Sequence, residues 1–150
     1  MRMIAIAPIL LALSSTGALA TGGFGCEARD AAARIEISAS TTRGMGFPVL
    51  SIDGSVELKG IAFGDDLRST RFDAWSMLQY WVEDDELRFV AYIERHAEPH
   101  AYIKLVVRTK FDERDELVGR YEIEALDMAH PTGDEDGAVR MEGEIACVLG

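Results

Sequence analysis

Apolar and polar residues alternate with a period of two along most of the chain beyond residue 30. Ala33, Ile35, Ile37 and Ala39 alternate with Arg34, Glu36 and Ser38, and the rhythm returns at 56–59, 87–94, 101–108, 119–125 and 139–147. This period puts successive side chains on opposite faces of an extended chain, so each run predicts a half-buried strand. The gaps between runs hold turn-forming residues: Asp53-Gly54, Gly64-Asp65-Asp66, residues 83–86, Pro99, residues 112–116 and residues 131–137. Strands joined by short turns predict an antiparallel meander of about seven strands, at 31–40, 54–63, 68–82, 86–95, 101–110, 117–128 and 138–148. The expected fold is all-β, a closed or partly closed barrel, with a two-sheet β-sandwich as the alternative.

Three stretches break the rhythm. Residues 21–30 are glycine-rich and read as a lead-in to a single β-rich domain spanning 31–150. The gap at 41–51 holds Gly44, Gly46 and Pro48 and reads as a mobile loop. In 69–82, Phe72, Trp75, Leu78 and Val82 have helical spacing with Ser69 as a cap, yet the aromatic run 78–82 leads into an acidic turn. Residues 77–82 are therefore read as a strand pairing with 87–95, and 69–76 as either a short helix or an extension of that strand.

Residues 1–20 follow another logic. Arg2 supplies a positive start, an apolar run extends to Leu13, and Ala18-Leu19-Ala20 is a small-x-small signature predicting cleavage before Thr21. The run contains Pro8 and fades into Ser14, Ser15 and Thr16, short of the roughly 20 apolar residues of a membrane span. No stable membrane insertion is expected once this secretory signal peptide is removed. Lipidation at Cys26 is not expected, because Gly23 stands where an apolar residue belongs. The predicted location is periplasmic or secreted, the former assuming a two-membrane bacterium.

Export changes the reading of the two cysteines. In an oxidising compartment Cys26 and Cys147 predict one disulfide, and neither has a CxxC partner or a neighbouring histidine. It would join the start of the mature chain to its last strand, worth about 5 kcal/mol in the chain-entropy model. Charge excludes two partner classes. With 15 basic and 26 acidic residues the net charge is -11, which disfavours nucleic acid and anionic lipid. Solubility alone accounts for such a charge.

Two constellations remain. In a meander, alternate turns share an end of the sheet, so the turns holding Asp65 and Asp66, His96 and His100, and His130, Asp134 and Asp136 should form one rim. Glu135 belongs to the same turn. A separate strand at 69–76 would reverse that parity. Imidazole with carboxylate suits zinc, and carboxylates alone suit calcium; otherwise no cofactor is implied, and ordinary polar turns look the same. Trp75, Trp81, Tyr92 and Tyr102 form a candidate binding patch, unless they serve only to pack the core and sheet faces. No GxSxG elbow, phosphate loop or HExxH occurs, so a binding or structural role is expected rather than catalysis. The expectation is an exported domain in the cell envelope that binds a small molecule or an envelope protein, or plays a structural part. A divalent-metal-binding domain is the alternative.

Overall fold

The structure, a computed structural model, describes residues 21–42, 49–83, 85–114, 116–132 and 137–150. The predicted signal peptide, residues 43–48 of the predicted mobile loop, and Asp134, Glu135 and Asp136 lie outside the described residues. Nine strands follow in order: β1 (Thr21–Arg29), β2 (Ala33–Thr42), β3 (Val49–Leu58), β4 (Ser69–Asp73), β5 (Met77–Glu83), β6 (Glu86–Glu94), β7 (Ala101–Phe111), β8 (Leu117–Asp127) and β9 (Ala138–Leu149). A single helical turn, α1 (Asp65–Arg68), lies between β3 and β4.

All nine strands form one antiparallel sheet, ordered β4-β3-β2-β1-β9-β8-β7-β6-β5 and curled into a half-barrel. The all-β meander is as expected, and a single curled sheet replaces the two-sheet alternative. One face of the sheet packs against itself. Ile35, Phe89, Ile103, Leu105, Tyr121 and Ile123 are all buried there, in the register the period-two pattern assigns them.

The extra strands have identifiable causes. The lead-in is not a tail but β1, whose Phe24, Cys26 and Ala28 point inward. Glycine at 22, 23 and 25 hides the alternation, because a residue without a side chain reports no face. Asp53-Gly54 is likewise not a turn but the middle of β3. Gly54 lies level with Ile37 and Phe72, and a Cβ there would overlap the Phe72 ring and the Glu36 carbonyl. Residues 49–51, read as loop, also belong to β3.

The stretch 69–83 forms two strands, β4 and β5, separated by Ala74, Trp75 and Ser76. They are the two edges of the sheet, yet eight antiparallel pairings apart, so they run in the same sense. The chain steps from one edge to the other without reversing. Across the opening, the Val49 N–H donates to the Tyr80 hydroxyl oxygen at 3.1 Å.

The β1–β9 pairing joins β1–β4 to β5–β9 through only four registered pairs. One of them is Cys26 opposite Cys147, and the two form the expected disulfide. Reciprocal backbone bonds between Gly23 and Gly150 extend the seam. A second tie crosses β9: Tyr121 of β8 donates to Asp30 in the β1–β2 turn at 2.6 Å. Gly143, directly opposite Tyr121, leaves room for that ring.

Candidate functional site

Turn parity holds although β4 is a separate strand. Because β4 and β5 run in the same sense, the extra strand does not reverse the parity. The β3–β4, β6–β7 and β8–β9 connections therefore share one end of the half-barrel. The first connection closes that end by burying Phe63 and Leu67.

Its centre is a charge network that the residue pattern alone did not suggest. Asp127, the last residue of β8, is fully buried. It accepts from the Gly64 amide (3.1 Å), Arg95 Nη1 (3.1 Å), the Ala129 amide (3.0 Å) and His130 Nδ1 (3.0 Å). Burial alone would raise its carboxyl pKa, but these donors outweigh burial and hold it far below the usual carboxylate range. Arg95 also forks onto Asp66, at 2.7 and 3.0 Å, and these bonds hold the Asp66 pKa low against burial.

Four of the candidate ligands are thus engaged with protein groups. Asp65 pairs with Arg68, Asp66 with Arg95, His130 with Asp127, and His100 Nδ1 with Glu94 at 3.2 Å. His96 is exposed. Among the described residues, no group of three or more His, Cys, Asp or Glu is arranged to hold a metal. Asp134 and Asp136 lie outside them.

The four aromatic candidates separate. Tyr92 and Tyr102 stack on the outer face with ring centroids 5.5 Å apart, and both are half-buried. Tyr102 donates to Glu124 at 2.7 Å, and that bond, with burial, pushes its hydroxyl up to about 12. The half-buried Trp81 is covered by the Arg88 guanidinium, 5.6 Å from the ring centroid. Trp75 differs from all of these, being 95% exposed. Its turn is nonetheless fixed, because Asp73 Oδ1 accepts from the Trp75 and Ser76 amides at 2.9 and 3.3 Å. The Ser76 carbonyl accepts from the Tyr92 amide at 2.7 Å, docking the turn onto β6.

Beside this turn the outer face is concave. A groove of about 1090 Å³ crosses β9, β1, β2, β3 and β4 and reaches Asp73 and Ser76, the residues flanking Ala74 and Trp75. Sheet register arranges its outward residues in two rows. One runs Val148, Gly25, Ser38, Asp53, Asp73, and the next runs Ala146, Glu27, Glu36, Ser55, Arg71. Gly25, Ser38, Ser55 and Ala146 keep the floor low. The groove spans the β1–β9 seam, so Cys26 is among its lining residues. Strand alternation marks these positions as outward, but their common trough depends on how the sheet curls. Comparison with known proteins gives no family model, no curated protein and no solved structure that matches the chain. Among the described residues no helix is long and apolar enough to cross a membrane.

Proposed function

We propose that the protein is an exported, non-catalytic binding module that holds its ligand or partner in the outer groove beside Trp75. The carrying observation is Trp75 itself. A tryptophan that is 95% exposed contributes almost no burial to the fold, yet its backbone is fixed in a bonded turn whose Asp73 and Ser76 line the groove. Large aromatic side chains presented to solvent at a concave surface favour contact with another molecule. Export is supported by the Cys26–Cys147 disulfide, which persists in an oxidising compartment.

Amide shift mapping against a library of small aromatic and polar fragments tests the binding reading. Perturbations should cluster at Gly25, Ser38, Asp53 and the Trp75 indole N–H. Clustering at the Tyr92–Tyr102 stack or at the Asp127 network, with the groove silent, would refute it.

A further inference from the structure

Resting on that binding reading, we propose that the groove takes an extended, lysine- or arginine-rich peptide segment. Three features converge on it. First, the groove crosses five strands, about 19 Å at the usual strand spacing, which matches roughly six residues of extended chain. Second, the floor opposes like charges directly across the ladder: Asp53 faces Asp73, and Glu27 faces Glu36. Such pairs destabilise a sheet in isolation. Glu36 is relieved by Arg34 and Arg29, but Asp53 has no ion pair among the described residues. Arg71 is the only basic residue in the two rows, so the floor carries excess negative charge. Third, Trp75 stands two residues beyond Asp73 and next to Ser76, both of which line the groove, and its solvent-open ring suits an ammonium or guanidinium group. A neutral chain would use the tryptophan but leave Asp53 without an ionic partner.

Tetralysine and cellotetraose serve as probes, titrated by calorimetry and amide shift mapping. Tetralysine should perturb Gly25, Ser38, Asp53 and the Trp75 indole, and its affinity should fall as salt rises to about 0.15 M. Trp75→Ala should weaken it about tenfold, and Asp53→Asn about threefold. Asp53→Asn should also raise the melting temperature of the free protein by about 2 °C, since it relieves the opposed pair. This opposite movement of stability and affinity is not expected of a purely structural aspartate. Tetralysine shifts scattered over acidic turns such as 112–116, or wild-type affinity in both variants, would overturn the proposal. Cellotetraose binding in the groove without tetralysine would overturn the basic-peptide class and leave the binding reading standing. Silence of both probes would overturn the class, and a blank fragment map alongside it would remove the binding reading too.

Discussion

Asp127 shows how a single carboxylate can organise one end of this fold. It is a buried charge with four donors, drawn from the end of β6, the β3–β4 connection and the turn after β8. Removing one partner of a buried ion pair leaves the other uncompensated, so Asp127→Ala should cost about 3 kcal/mol in urea unfolding. Asp66→Ala, at a half-exposed pair with the same arginine, should cost less than about 1 kcal/mol. Equal losses would contradict the hierarchy. The pH dependence follows. Asp127, Asp66 and Asp30 all have folded pKa values below their ordinary ones. For Asp30, the Tyr121 hydroxyl and the Ala33 and Ala32 amides overcome burial. A lowered folded value contributes stability that is complete above the unfolded carboxylate pKa of about 4 and is lost as pH falls below it. Unfolding free energy should therefore drop between about pH 4 and pH 2, with a shallower slope in Asp127→Asn. Part of this was legible in the sequence. Asp127 continues the inward alternation of Tyr121, Ile123 and Ala125, so its burial could be read from parity. Its partnership with Arg95 could not, because that depends on which turns share an end and how far they fold inward.

The disulfide acts where the sheet is weakest as an assembly. Four registered pairs join β1 to β9, whereas the β8–β9 ladder runs from Leu117 opposite Cys147 to Leu126 opposite Ala138. Replacing both cysteines by alanine should lower stability in guanidinium by about 2–5 kcal/mol, and hydrogen exchange should rise first in β1. Unchanged exchange in β1 would mean that the seam does not depend on the crosslink. Sequence spacing suffices to predict this pair, because Cys147 falls on the inward side of the last alternating run. It does not show that Cys26 sits within a strand. The glycines of β1 erase the very period by which strands are recognised, and the same effect made Gly54 look like a turn. The stretch 69–83 was ambiguous for another reason. Its chain crosses from one sheet edge to the other, and no local pattern encodes a step that depends on the whole sheet curling.

At the scale of the molecule, one curled sheet gives two faces different tasks. The inner face is packed with side chains, while the outer face keeps a low trough across the crosslinked seam, flanked by an exposed tryptophan. The disulfide thus stabilises the surface on which binding is proposed as well as the core. If the chain is exported, mass spectrometry of the native material should find a mature form beginning at Thr21; a population retaining Met1 would contradict export by this route. The trough was not legible from sequence, because it gathers residues from five strands whose closeness is set by sheet order. Trp75 was legible as a candidate, but its separation from Trp81, Tyr92 and Tyr102 was not. The most direct test is a set of intermolecular NOEs between labelled protein and tetralysine. Contacts are expected from the lysine side chains to the Trp75 ring and from the peptide to Gly25 and Val148. Contacts confined to Tyr92 and Tyr102, or to the rim around Asp127, would contradict binding in the groove.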